Sequence, residues 1–183
     1  MPQLLKLAGY RTGIIGKLHV HPKASFPFDY QALTLDTRTI KSRNIELTAQ
    51  RAEEFFLQQP RQPFFLMVTY GDPHAPFYSQ LNGYPQQPLD PTEVPPFPWQ
   101  GINTSPVRKR TAGYYNGIAR MDAGIGMLLN KLAQLGLADN TMVIFIGDHG
   151  PPFSRAKTTC YEAGLRIPFI VRWPGRIRPN MVN

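Results

Sequence analysis

The chain has 183 residues, enough for one ordinary domain, and its 42% hydrophobic and 11% aromatic content excludes a wholly disordered polypeptide. A formal charge of +8, from 20 basic against 12 acidic residues, draws anionic partners without choosing between nucleic acid, anionic lipid and sulfated sugar. The lone Cys160 excludes an intrachain disulfide framework, and no apolar run approaches the roughly 20 residues that span a bilayer.

In chain order, Leu4-Leu5-Lys6-Leu7 and a Gly9-Tyr10 turn stand where a secretory leader would show a longer apolar run. Thr12-Gly13-Ile14-Ile15-Gly16 is short and apolar and predicts a buried strand. Residues 45–58 carry Ile45, Ala49, Ala52, Phe55 and Phe56 at helical spacing, with Asn44 placed as N-cap. Phe64 to Tyr70, bounded by Pro63 and Gly71-Asp72-Pro73, predicts a strand covered on both faces.

Residues 75–106 are rich in proline, asparagine and glutamine, lack apolar periodicity, and form a long loop of the kind that is functional or mobile. Pro106 opens a helix reaching about Leu135, with Ser105 as its cap and Gly136 as its stop. Its expected buried stripe is Ile118, Met121, Ile125, Leu128, Leu129 and Leu132. Thr141 to Ile146 and Ile167 to Val171 predict two more buried strands. The alternation defines an α/β protein with a central, mostly parallel sheet between helices, incomplete at both ends, over one domain, 1–183.

In open α/β sheets, polar residues just beyond the carboxyl ends of strands form the site. Three strands here run out into Lys17-Leu18-His19, Asp72-Pro73-His74 and Asp148-His149-Gly150. Asp148 and His149 could hold a divalent cation, which would polarise a sulfuryl or phosphoryl oxygen. Lys17 and Lys157 could neutralise the other oxygens, and His19 or His74 could protonate a leaving oxygen. Each residue also has an ordinary reading. Lys17 alone is a surface lysine, His19 and His21 are loop histidines, Asp72-Pro73 is a turn, and Asp148-His149-Gly150 caps a strand. Cys160 reads as a small packing residue, and Arg108-Lys109-Arg110 as solvated surface.

These segments resemble, in order and spacing, the sulfatase family of the alkaline phosphatase superfamily. Gly9 to His19 is similar to the family's GYxTxxIGKWHLG segment, with Leu18 for the usual Trp and Val20-His21 for Leu-Gly. Phe28-Asp29-Tyr30 is similar to GFDYF, and Phe64-Phe65-Leu66 with Asp72 to Phe77 to the strand and PHxPF segment. Asp148-His149-Gly150 is similar to the metal segment, and Lys157 to Pro168 to the family's lysine segment. The wording of residues 114–122 and 152–159 resembles the branch containing heparan N-sulfatases.

The resemblance implies an alkaline-phosphatase-like sulfatase fold and hydrolysis of a sulfate ester, carried by a small molecule or an oligosaccharide. The implied substrate is a sulfated or N-sulfated sugar, with neither nucleic acid nor membrane as partner. It implies Lys17, His19, His74 and Lys157 as catalytic residues and Asp148 and His149 as metal ligands. The implied cation is Ca²⁺, with Mn²⁺ or Zn²⁺ admitted by the imidazole. Members act in the periplasm, outside the cell or in lysosomes. The family's Cys- or Ser-x-Pro-x-Arg nucleophile motif and its Asp-Asp pair precede the first matched segment, so the 183-residue chain alone is expected not to turn over. Two rival readings remain at this point: a phosphodiesterase or phosphonate hydrolase on the same fold, and a non-catalytic anion-binding module.

Overall fold

The computed structural model describes residues 1–34, 36–59 and 61–182. A short helix α1 (Pro2–Leu7) leads into strand β1 (Arg11–Gly16), buried at every position. Strand β2 (Tyr30–Ala32) and strand β3 (Phe64–Thr69) flank β1 in parallel, in the order β2-β1-β3. Helix α2 (Ile45–Gln58) makes the crossover, and the Asn44 side chain accepts a hydrogen bond from the Leu47 amide as its cap. Both the helix and its cap stand where the sequence puts them. Helix α1 was not foreseen, because one turn of Leu-Leu-Lys-Leu carries no readable period.

The core lies between α2 and the parallel sheet. Ile15, Ala52, Phe55 and Phe56 are buried together with Leu132 from the later helix α3 (Ser105–Gln134). Gly13 is required here, because a Cβ on it would stand 2.6 Å from the Phe55 ring. Burying that ring is worth about 3 kcal/mol. The Arg11 guanidinium lies 3.9 Å from the centre of the same ring and donates to the Phe55 carbonyl, closing the last turn of α2.

Parallel register sets the level of the site. Gly16 of β1 pairs with Thr69 of β3, so Lys17 and Tyr70 leave the sheet side by side. Gly16 sits at φ +98°, and a Cβ there would reach to 2.0 Å from the Thr69 carbonyl oxygen, so only glycine fits. The Thr69 hydroxyl then donates to the Lys17 carbonyl at 3.0 Å.

Helix α3 differs from expectation in which face is buried. Its N-cap is Thr104, without a side-chain cap bond, and Ser105 is its first residue. The most buried positions are Thr111, Ala112, Gly113, Asn116, Gly117, Arg120, Gly124 and Leu132, while Ile118, Met121, Ile125, Leu128 and Leu129 are half-buried. The stripe faces backbone and loop rather than an apolar sheet. Gly124 meets Ile45 and Tyr70, Gly113 meets Phe77, and Gly117 meets Asp72 and Pro73, so small residues let the helix approach closely.

Strands β4 (Val143–Ile146) and β5 (Phe169–Arg172) form a separate antiparallel pair, with the short helix α4 (Glu162–Leu165) between them in sequence. Both were expected to be buried. One face instead carries Ile144, Ile146 and Phe169 exposed at 52%, 56% and 65%. Cys160 likewise is exposed rather than packed. Among the described residues no helix is long and apolar enough to cross a membrane.

The buried Asp72 and the exposed Asp29 each set a stability expectation. Asp72 lies between the guanidiniums of Arg43 and Arg120, all three buried. Asp72→Ala should destabilise the protein by about 3–5 kcal/mol in denaturant unfolding, because it strands two buried cations. Asp29 accepts from the Thr12 amide and hydroxyl at 2.8 and 2.9 Å and from Lys6 Nζ at 2.6 Å. Burial pushes its carboxyl up, but the bonds from Lys6 and Thr12 outweigh that, so it ionises below its ordinary 3.8. A lowered folded-state pKa adds stability above pH 3.8 that is lost as pH falls through the folded value. Asp29→Asn should flatten this acid limb of the stability-against-pH curve.

Candidate active site

The ends of β1 and β3 build the first half of the site. Lys17, half-buried, and His74, exposed, line one open pocket of about 520 Å³ with Lys23, Asp36 and Arg38. Cations dominate this lining. Asp36 is already matched, since Arg38 donates to it through Nε and Nη2, and this holds its carboxyl far below the usual range. Lys17, Lys23 and His74 are therefore the groups left to face an anion.

His74 Nδ1 stands 2.5 Å from the Ala75 carbonyl oxygen. A carbonyl only accepts, so Nδ1 carries the proton and Nε2 is the atom free to accept or deliver one. His19 is exposed two residues beyond Lys17 and is not among the residues lining the pocket.

The second half follows β4. The turn at Asp148-His149-Gly150 is pinned by glycine-to-glycine contact: the Gly150 amide donates to the Gly164 carbonyl at 3.1 Å. A Cβ on Gly150 would lie 1.8 Å from the Ala163 carbonyl oxygen. Lys157 is half-buried in the following loop, its amide donating to the Pro151 carbonyl at 3.0 Å. Gly150→Ala should therefore cost about 2 kcal/mol in thermal or denaturant unfolding, since backbone rather than a side chain must move.

His149 Nδ1 lies 2.8 Å from the Gly150 carbonyl oxygen, which places the ring proton there and leaves the Nε2 lone pair free. Nε2 faces Asp148 Oδ2 at 3.5 Å. Two lone-pair groups at that spacing repel unless a proton or a cation lies between them. The pair fits as two ligands of a divalent cation, but calcium takes six to eight oxygens. Among the described residues no group of three or more His, Cys, Asp or Glu side chains could hold a metal.

An aromatic cluster joins the two halves. Phe77, three residues after His74, stacks on Phe153, four before Lys157, with ring centres 6.0 Å apart and planes 9° from parallel. Phe97, Tyr114 and Tyr115 pack around them, so part of the 75–106 loop is built into the molecule. Arg110 lies 5.5 Å from the centres of both the Phe77 and Phe153 rings and donates to the Pro152 carbonyl, a role that a solvated basic run does not predict. Among the described residues no hydrogen bond or ion pair links Lys17 or His74 to Asp148, His149 or Lys157.

Sequence reasoning missed the buried arginines. Arg43 precedes α2, and Arg120 sits on the α3 face marked by Gly113, Gly117 and Gly124. That spacing was the readable signal: a charged residue inside a small-residue stripe needs a buried counter-charge.

Fold and strand-end cations together define an α/β protein with a site suited to oxyanions. The sulfatase family model matches residues 1–183. Human N-sulphoglucosamine sulphohydrolase is 34% identical over 195 residues, covering 95% of this chain and 38% of the relative. Mouse N-acetylgalactosamine-6-sulfatase is 27% identical over 236 residues, covering 100% of this chain and 41% of the relative. The crystal structure of a sulfatase candidate from Bacteroides fragilis superposes with a TM-score of 0.78 at 27% identity, over 98% of this chain and 50% of that one. The chain belongs to the sulfatase family, and it spans 38% and 41% of the length of these two curated relatives.

Proposed function

We propose that this chain supplies part of the active site of a sulfuric-ester hydrolase acting on a sulfated or N-sulfated sugar. The observation that carries the reading is the pairing of Gly16 with Thr69, which brings Lys17 and His74 to one pocket in a family of sulfatases. Lys17 places an ammonium against the sulfuryl oxygens, and Lys157, in the loop after β4, would add a second. Fixed cations at such oxygens favour the charge that grows as the bond to sulfur breaks. With one ring proton held at Nδ1 by the Ala75 carbonyl, His74 in its imidazolium form carries a second at Nε2 and delivers that one to the leaving oxygen or nitrogen of the sugar, returning to the neutral ring. His19, next to the pocket, assists release of the sulfate.

Asp148 and His149 would supply two ligands to a divalent cation. Calcium is the leading candidate, and the imidazole also suits Mn²⁺ or Zn²⁺. Such a cation polarises a sulfuryl oxygen when bound. The substrate class is supported by the two curated relatives, whose names specify N-sulphoglucosamine and N-acetylgalactosamine-6-sulfate chemistry. The charge of +8 favours approach of such anions at low ionic strength.

Titration of the chain with inorganic sulfate at low salt tests the reading. Lys17→Ala and His74→Ala should each weaken binding about tenfold, the loss of one charged hydrogen bond, while the exposed Lys109→Ala should not. Calcium should raise the melting temperature of the parent chain but not of Asp148→Ala. Sulfate affinity indifferent to both Lys17→Ala and His74→Ala would overturn the assignment.

A further inference from the structure

Behind the pocket lies a charge cluster that carries more cation than folding needs. Asp72 is 6% exposed, and Arg43 and Arg120 are each 1% exposed. Arg120 grips the carboxylate with two bonds, Nε to Oδ2 at 2.7 Å and Nη2 to Oδ1 at 2.9 Å. One such fork already neutralises an aspartate. Arg43 nevertheless adds a third bond, Nε to Oδ1 at 3.2 Å, leaving one net positive charge inside. A second buried guanidinium is costly unless its position does something.

The remaining donors of the cluster show what that is. Arg43 Nη2 donates to the His74 carbonyl at 2.7 Å, and Nη1 donates to the Thr39 carbonyl at 2.9 Å. His74 lines the cationic pocket, and so do Thr37 and Arg38, just before Thr39. Arg120 Nη1 donates to the Tyr84 carbonyl at 3.1 Å, holding the loop that follows His74 at a second point. The carboxylate has little room to shift, since a Cβ on Gly117 would lie 3.2 Å from Asp72 Oδ1.

We propose that Arg43, Asp72 and Arg120 are positioning residues that fix the His74 turn and the 37–39 segment, both of which contribute to the pocket lining, relative to each other. This rests on the reading of Lys17 and His74 as an oxyanion site. The cluster holds backbone and touches no substrate. Its effect passes through His74: the turn is held rigid, so Nε2 stays aimed into the pocket instead of swinging with an exposed loop.

The test uses Arg43→Lys and Arg120→Lys in the 183-residue chain, which keep the charge and lose the planar fork. Inorganic sulfate is titrated across pH while the His74 and His149 ring resonances are followed by NMR, below the melting temperature of every variant. Arg43→Lys should weaken sulfate binding about tenfold, as misplacement of a positioned group does, and should shift the titration midpoint of His74 alone. His149 is the internal control, because a general loosening would move both rings. If Lys17→Ala and His74→Ala fail to weaken sulfate binding, the oxyanion site itself falls, and this inference with it. If they do weaken it while Arg43→Lys leaves both affinity and the His74 titration unchanged, the positioning role alone is overturned. Should the lysine variants not fold, Gly117→Ala, which presses on Asp72, is judged by the same two readouts.

Discussion

Two arginines share one carboxylate in the interior, and most of the molecule is arranged around that fact. Asp72 lies in the turn after β3, Arg43 precedes α2 and Arg120 stands in the middle of α3, so three parts of the chain meet at one ion cluster. A buried cluster of this kind adds little net stability over an apolar packing of the same shape. What it adds is direction, because guanidinium forks and carbonyl oxygens accept only narrow geometries. The loop that follows β3 would otherwise be an exposed run of proline and polar residues.

The fold was largely legible, because it rests on local signals. Asn44 and the Ile45–Gln58 spacing specify α2 with its cap, and the short apolar runs specify β1 and β3. The candidate residues Lys17 and His74 could be named because they follow strands that the pattern identifies. What stayed hidden depends on long-range neighbours. Ile144, Ile146 and Phe169 read as a buried strand pair and are exposed, since an apolar run says nothing of whether a second layer covers it. The face of α3 was misjudged for the same reason: its aliphatic stripe is half-buried, whereas glycine, asparagine and arginine line the tighter contact.

The proposed site is divided between two pieces of sheet. Lys17 and His74 leave the parallel β2-β1-β3 sheet, while Asp148, His149 and Lys157 follow the antiparallel pair β4–β5. Among the described residues no ladder hydrogen bonds run between these pieces. Apolar rings bridge them instead, through the stacked Phe77 and Phe153 with Arg110 above. Stacked rings tolerate sliding in a way that backbone ladders do not. The cationic half and the carboxylate half are thus held by contacts of different stiffness.

The long reach of α3 has a kinetic side. Its bonds to Asp72 and Glu53 close loops of 48 and 78 residues, whereas α2 and β1 meet across shorter stretches of chain. Loop entropy rises slowly with length, yet it must be overcome before the distant contacts form. During synthesis, a nascent chain that has emerged only as far as residue 110 has Asp72 and Arg43 but not Arg120, and the small-residue face that covers them is still to come. Until α3 emerges, the parallel sheet with α2 therefore stands with its ion cluster half assembled.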